Sequence, residues 1–599
     1  MKSFWKYVLA TVVGMIIVSV IFLFTTVSTI IGLAGAQSTK TSVEKNSVLF
    51  INLSGIIEER TEDNPLSTLL AGSIAESQSL ADILKAIEHA KTDKNIKGIY
   101  IEAGTLIGAA PATLQEIRHA LVDFKSSKKF IISYGDMYTQ GAYYLCSVSD
   151  SLIINPQGII DWHGISLQTS FYKDLLDKVG VSMQVFKVGT YKSAVEPYLL
   201  NEMSPANREQ LTLVSSELWQ SITKDVSKSR GISVERLNQL ADTFMAFTQP
   251  ENYIKEKLAD RMAYSDAVPQ TICNMIEGVD SQEDYHTISV SDLASISSSK
   301  PKGTSGNVIA LYYAFGDIVQ ESSQSIPGYN SEHEIIGKTT VKELQELCDN
   351  DDVKAVIIRI NSGGGSAYAS EQIWHAIRQL KAKKPVVVSM GDYAASGGYY
   401  ISCAADWIVA QSTTITGSIG IFGLFPEADE LMNKKLGIHV STVKTNAHSD
   451  LGQSMARAFT ADEAAIVQNY VNNGYQLFTE RCATSRNKPI GDILQIAEGR
   501  IWTGQHALKL GLVDQLGNIN DAIAVAKKRA GIDEYSIKEY PAETSFLDNL
   551  LSDTKGGSYA DAQLKMTLGE YYEMFRQMRS LTNHTGIQAR LPYSISFNF

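Results

Sequence analysis

Three short stretches hold residue types that do chemistry together. In GDYAASGGYY, residues 391 to 400, the hydroxyl of Ser396 sits between two alanines and two glycines, just after the apolar run KPVVVSM. In INSGGGS, Ile360 to Ser366, the glycines Gly363 to Gly365 can bring bare backbone N–H groups close to a ligand. In VGTYKSAVEP, residues 188 to 197, Lys192 stands among small and apolar neighbours. A serine hydroxyl is a poor nucleophile until a base removes its proton, and the oxyanion that then forms needs fixed donors. No Gly-x-Ser-x-Gly elbow surrounds Ser396, and none of the ten histidines has a convincing place beside it. A neutral lysine can be the base: lowering its pKa from about 10.4 to about 7 requires about 4 kcal/mol of differential solvation, which burial between two domains can supply.

Taken singly, each feature has a plainer reading: a turn serine, a solvated lysine, a tight glycine loop. What joins them is an internal repeat. The chain matches itself at about 256 residues: KKFIISYGDMYTQGAYYLCS from Lys128 parallels KKPVVVSMGDYAASGGYYIS from Lys384. NIKGIYIEAGTLIGAAPATLQEIRHAL from Asn95 parallels DVKAVIIRINSGGGSAYASEQIWHAI from Asp352, and KVGVSMQVFKVGTYKSAVEP from Lys178 parallels KLGIHVSTVKTNAHSDLGQS from Lys435. Where the second copy has its glycine run, the first has Leu106 and Ile107, which would block a ligand's approach; where the second has Ser396, the first has Gln140. Conversely, Lys192 of the first copy faces Ser449 in the second. Each copy keeps what the other lacks, as expected if one site is built from both. Ser418, in TGSIGIFG, either orients the lysine by a hydrogen bond or caps a turn.

Within each copy, apolar runs such as VKAVIIRI alternate with helical-period segments such as SEQIWHAIRQLKAK, where Ile373, Ile377 and Leu380 share a face. That alternation predicts parallel α/β units with strands buried on both sides, and sites at the carboxyl ends of the strands. The polar stretch SSSKPKGTSG, 297–306, reads as a linker. The expected division is a tip and anchor at 1–45, a first repeat domain at 46–296 supplying the lysine, a second at 307–535 supplying the serine, and a tail at 536–599. In that tail LGEYYEMFRQMRSL reads as an amphipathic packing helix.

The 599 residues, 44% hydrophobic and 20% charged, suffice for more than one core. A formal net charge of -12 argues against nucleic acid as a partner. Tyr7 to Ala36 carries no charge and comes after Lys2 and Lys6, which predicts a single transmembrane helix with the bulk of the chain on the extracytoplasmic side. The alternative is a signal peptide cleaved after AGA at 34–36, but the apolar stretch is longer than a signal's core of roughly 7–15 residues. Five scattered cysteines give neither a disulfide framework nor a metal site, HEIIG lacks the second histidine of a zinc helix, and no cofactor motif is present.

NSGGGS, GDYAASGGYY, TGSIGIFG and VGTYKSAVEP, with the anchor and the tandem repeat, resemble the long form of the signal peptide peptidase A family over roughly residues 46 to 535. The resemblance implies tandem domains of the crotonase and Clp protease fold, a Ser-Lys dyad acting through an acyl-enzyme on cleaved signal peptides and other peptides, and a homotetramer on the outer face of the cytoplasmic membrane. It implies Ser396 as nucleophile, Lys192 as general base, Ser418 as the lysine's hydrogen-bond partner, and oxyanion donors at Gly397 and either Gly363 or Gly364. The family's usual proline in the glycine run is missing, since Gly363 comes directly after Ser362. An acyl-thioester hydratase or isomerase is the competing enzyme class, yet the loops offer hydroxyl and amine where such enzymes place a carboxylate. A membrane scaffold with a degenerate site is the non-enzymatic alternative.

Overall fold

A computed structural model describes residues 14, 15, 18, 42–61, 77–298, 306–321, 333–542 and 586–591. The first half contributes β1 (Ser47–Glu58), β2 (Ser77–Ser79), β3 (Ile96–Gly108), β4 (Phe130–Tyr138), β5 (Ser151–Ile160), β6 (Ser182–Lys187), β7 (Arg261–Met262) and β8 (His286–Ser289). All but β6 form one parallel sheet in the order β2-β1-β3-β4-β5-β7, with β8 also on β1. The second half contributes β9 (Val308–Phe315), β10 (Asp317–Val319), β11 (Glu334–Ile336), β12 (Val353–Ser362), β13 (Gly364–Ser366), β14 (Val386–Ala395), β15 (Trp407–Ala410), β16 (Ile415–Gly417), β17 (Phe422–Glu427), β18 (Ile501–Thr503), β19 (Gln515–Leu516) and β20 (Ser536–Tyr540). Its main sheet runs β18-β16-β14-β12-β9-β20, with β15 beside β14 and β19 beside β15. The central order β1-β3-β4-β5 of one sheet thus recurs as β9-β12-β14-β15 in the other.

The strands form where the sequence is continuously apolar, because helices cover both faces. In β12, Val356, Ile358 and Ile360 are buried with Ile373, Ile377 and Leu380 of the helix Ala367–Lys381, and Ile357 is buried on the other face with Ala522 and Ala526 of the helix Ile519–Ala530. That helix starts where Ser366 Oγ accepts a hydrogen bond from Ala369 N–H, satisfying one of its orphan donors. β20 pairs parallel with β9 over Ser536–Tyr540 and extends the second sheet by one strand.

A third, smaller sheet is assembled from three parts of the chain, in the order β11-β10-β13-β21-β17-β6. β6 comes from the first half and pairs antiparallel with β17 of the second, from Lys187 opposite Phe422 to Ser182 opposite Glu427. β21 (Gly586–Arg590) comes from the tail and lies antiparallel between the glycine strand β13 and β17.

The halves are also joined by a buried polar cluster. Arg359, on β12, reaches Glu59 Oε1 and Oε2 at 3.0 Å and Glu116 Oε2 at 2.7 Å, and all three side chains are buried. Asp392 accepts from Thr113 N–H at 2.7 Å and Thr113 Oγ1 at 2.8 Å across the same boundary. Burial raises the Glu116 carboxyl above its ordinary range, while Arg359 and a backbone N–H from Ile519 pull it back down. Removing one partner of such a buried pair leaves the other charge uncompensated, at a cost of about 3–5 kcal/mol.

Among the described residues no helix is long and apolar enough to cross a membrane. The expected anchor, 7–36, lies outside them apart from Gly14, Met15 and Val18, as does the expected amphipathic helix of the tail.

Candidate active site

β14 ends at Ala395 and the helix Gly397–Ser402 starts two residues later, so Ser396 stands at a strand-to-helix junction with φ +55° and ψ −114°. A non-glycine residue there costs on the order of 1–3 kcal/mol and persists only when its surroundings enforce it. They do: Ser396 N–H donates to Gly417 C=O at 2.8 Å, and Ser396 C=O accepts from Tyr400 N–H at 2.8 Å. The helix can approach so closely because Gly397 and Gly398 lack side chains; a Cβ on Gly398 would lie 2.5 Å from Ser362 C=O. The junction therefore has the shape of a nucleophile elbow without its Gly-x-Ser-x-Gly sequence.

Lys192 arrives from the other half. Leaving β6, the chain is held by Val188 N–H to Ile421 C=O at 3.4 Å and Tyr191 N–H to Glu498 C=O at 3.0 Å, then turns Lys192 inward. Its stem runs under two glycines: a Cβ on Gly499 would meet Lys192 Cβ at 2.6 Å, and one on Gly420 would meet Lys192 Cδ at 3.3 Å. Nζ lies 2.8 Å from Ser396 Oγ, 3.0 Å from Ser418 Oγ and 3.2 Å from Ser418 C=O. Lys192, Ser396 and Ser418 are each fully buried. Desolvation alone pushes the Lys192 ammonium well below the usual lysine range, since no carboxylate is among its partners. Ser418, itself at φ +51°, donates from Oγ to Gly499 C=O at 3.3 Å, which leaves its lone pairs facing the amine.

The three glycines expected to supply oxyanion donors surround the same point with different commitments. Gly364, at φ +102°, donates its N–H to Ser362 Oγ at 3.1 Å, and Gly363 C=O accepts from Leu591 N–H at 2.7 Å. Gly397 is the first residue of its helix, so its N–H has no partner inside that helix. Sequence reasoning did not single out Gly499, Gly420 or the tail strand. The glycine in EGRIW gave a weak signal, but nothing in one sequence ties it to a lysine some 300 positions away.

The rest of the repeat accounts for the surroundings. Residues 123–275 and 378–533 each match the profile of peptidase family S49, and the second match begins 255 residues after the first. The chain belongs to peptidase family S49. It is a serine endopeptidase of the long, two-copy form. Residues 318–412, which carry the glycine strand and Ser396, also match the Clp protease profile, in keeping with a Clp-protease-like α/β fold in each S49 copy. Protease 4 of Salmonella typhi is 35% identical over 536 residues, covering 87% of this chain and 84% of its own. Protease 4 of Haemophilus influenzae is 33% identical over 559 residues, covering 90% and 89%. The chloroplastic serine protease SPPA of Arabidopsis thaliana is 30% identical over 556 residues, covering 92% and 78%.

Proposed function

We propose that this S49 peptidase cleaves peptides with a Ser396–Lys192 dyad through an acyl-enzyme. The observation that carries the reading is the 2.8 Å approach of a fully buried lysine Nζ to the hydroxyl of Ser396. A neutral amine gives its two N–H groups to Ser418 Oγ and C=O and keeps its lone pair for the Ser396 proton. Ser396 Oγ then attacks the scissile carbonyl, and the oxyanion is received by Gly397 N–H, with Gly363 or Gly364 beside it. Lys192 returns the proton to the leaving amine. Water next attacks the ester, with Lys192 again as base, and frees the serine.

The substrates proposed are signal peptides already released from their preproteins, together with other peptides in extended form. The proposed setting is the cytoplasmic membrane, with the segment 7–36 as a single-pass anchor and residues 46 onward outside; the uncharged run and the lysines before it support this. A homotetramer is the proposed assembly. Its support is the second copy's counterpart of β6, residues 439–444, which is exposed and carries Val440 and Val443 on its surface, next to exposed Ile438. An extended apolar segment matching one that pairs within the chain is suited to pair with another copy.

A serine-directed fluorophosphonate tests the dyad. The wild-type chain is expected to be labelled at Ser396, and folded Lys192→Ala and Lys192→Arg chains are expected to lose labelling and peptide hydrolysis together. Labelling of Lys192→Arg at the wild-type rate would remove the lysine from the mechanism.

A further inference from the structure

Lys192 is the middle residue of a very short turn. Ser193 N–H closes on Tyr191 C=O at 2.8 Å around it, and Lys192 itself sits at φ −76° and ψ 78°, the backbone of an inverse γ-turn. One hydrogen bond across three residues sets the shape of the turn but not its place in the molecule.

A single side chain grips both shoulders of that turn. Gln210, fully buried on the helix Pro205–Arg230, aims its amide nitrogen at Tyr191 C=O at 3.2 Å, Ser193 Oγ at 3.0 Å and Asn207 Oδ1 at 3.1 Å, which share its two hydrogens. Its amide oxygen accepts from Ile501 N–H of the second half at 3.2 Å. A carbonyl on one side and an N–H on the other fix which way the amide faces. The turn is braced from behind as well. Ser193 Oγ donates to Asn207 Oδ1 at 2.9 Å, and Asn207 Nδ2 donates to Glu196 Oε2 at 3.1 Å. Ser204 gives its N–H and its hydroxyl to the same carboxylate, so Glu196, the acidic residue just after Lys192 in the chain, is taken up by other donors.

What Ile501 holds gives this clasp its meaning. Ile501 lies opposite Gly417 in the β16–β18 pair, and Gly417 C=O is the acceptor that keeps Ser396 N–H in place. Arg500, one residue earlier, accepts Ser418 N–H at 2.7 Å. One carboxamide thus joins the residues on either side of Lys192 to the strand that places both Ser396 and Ser418.

We infer that Gln210 is a positioning residue for peptide cleavage, tying the Lys192 turn to β18 and so setting the approach of Nζ to Ser396 Oγ. The inference rests on Lys192 acting on Ser396 as proposed above. The partners of Gln210 are Tyr191, Ser193, Asn207 and Ile501, none of them in the glycine strand β13 or at the Ser396 junction, so its effect passes through the lysine. A misplacement of about 1 Å between reacting groups costs on the order of 10²-fold in rate. A loosened turn also admits water beside Nζ and weakens the desolvation that lowers its pKa, which moves the rise of rate with pH to higher pH.

The test compares two matched substitutions in the full chain purified in detergent. Gln210→Met keeps the length of the side chain and removes its hydrogen bonds. Gln115→Met removes another buried carboxamide that joins the halves, whose Oε1 accepts from Ser412 Oγ at 2.9 Å and Thr413 Oγ1 at 3.0 Å without touching the Lys192 turn or β18. Gln210→Met is expected to lower kcat by roughly 10–100-fold with KM within about twofold, to slow fluorophosphonate labelling of Ser396 in step, and to shift the pH–rate midpoint upward. Gln115→Met is expected to leave kcat and the midpoint within a few fold and a few tenths of a unit, at a comparable loss of melting temperature. Gln210→Asn, one methylene short of its partners, is read in the same way if Gln210→Met does not fold. A folded Gln210→Met chain with wild-type kcat and midpoint would overturn the inference, as would a Gln115→Met chain that loses as much turnover as Gln210→Met. Labelling of the Gln210→Met chain at the wild-type rate would sink the clasp and leave the dyad standing. A wild-type chain that takes up no fluorophosphonate at Ser396 would remove the dyad and the clasp together.

Discussion

At the end of β4 the chain enters the helix Gln140–Cys146 as it enters Gly397–Ser402 at the end of β14, yet the two junctions hold opposite contents. Where the second holds Ser396 against a lysine, the first holds Gln140, whose Oε1 accepts from His163 N–H at 3.1 Å and Gly164 N–H at 2.9 Å. Where the second has Ser418, the first has Trp162, fully buried, its indole N–H given to Leu237 C=O at 3.0 Å. The arms differ in the reverse sense: 182–192 of the first half is paired and buried at Lys192, whereas its counterpart ends at Ser449, exposed and bonded to Asn446 and Gln453, three and four positions away. The first half's junction has become core, and its arm brings Lys192 to Ser396. A duplicated fold can thus divide one site between its copies while each keeps its own packing.

The strongest way to break this division is at the serine. Ser396→Ala is expected to lower kcat by roughly 10⁴-fold or more with the fold intact, measured as peptide hydrolysis alongside circular dichroism. Lys192→Ala is expected to cost roughly 10³-fold or more, and Lys192→Arg not to restore it, because a guanidinium stays protonated. Burial lowers the Lys192 pKa, and only the neutral amine accepts a proton. The wild-type rate should therefore rise with pH through that lowered pKa and level off before the ordinary lysine range. A rate that falls across the same interval would place the base elsewhere.

The boundary between the copies comes next. Arg359→Ala leaves Glu59 and Glu116 in the interior without their shared cation and should reduce stability by about 3–5 kcal/mol in denaturant melts, whereas Glu116→Gln leaves Arg359 paired with Glu59 and should cost less. Ser418→Ala removes one of three contacts to Nζ and should lower kcat by roughly 10–100-fold with KM little changed, since it orients the base without touching substrate. The smallest effects belong to the dead junction and the dead arm: Gln140→Ala and Ser449→Ala should leave turnover within roughly a few fold. A Gln140→Ala loss as large as that of Ser396→Ala would overturn the pairing of the copies.

The repeat, the parallel α/β units and the neighbourhood of Ser396, Lys192 and Ser418 were legible because each leaves a local pattern: an apolar run, a glycine cluster, a matching block at constant offset. Arg359 was visible as a charge inside VIIRI, but its partners Glu59 and Glu116 lie some 240 to 300 positions earlier, and no local pattern names them. The elbow at Ser396 was hidden for a different reason. Its backbone is enforced by Gly417 C=O and the helix behind it, so a sequence with Ala394 where the usual motif has its first glycine reaches the same conformation. β21 was the least legible element, because a strand of five residues held by two separate edges needs no amphipathic pattern of its own.

The crossing of β6 into the second half has a consequence for when the enzyme becomes dangerous to its surroundings. Chains emerge from the ribosome amino terminus first, and domains fold as they appear. A nascent chain that has reached Ser418 already contains Lys192 and Ser396, but it lacks β17, against which β6 pairs, and Gly499, which roofs the lysine. Until those residues are made, Lys192 has no buried place, stays protonated at its ordinary pKa of about 10.4 and cannot activate anything. On the proposed dyad, the order of synthesis itself keeps the protease silent until the chain has been translated past Gly499.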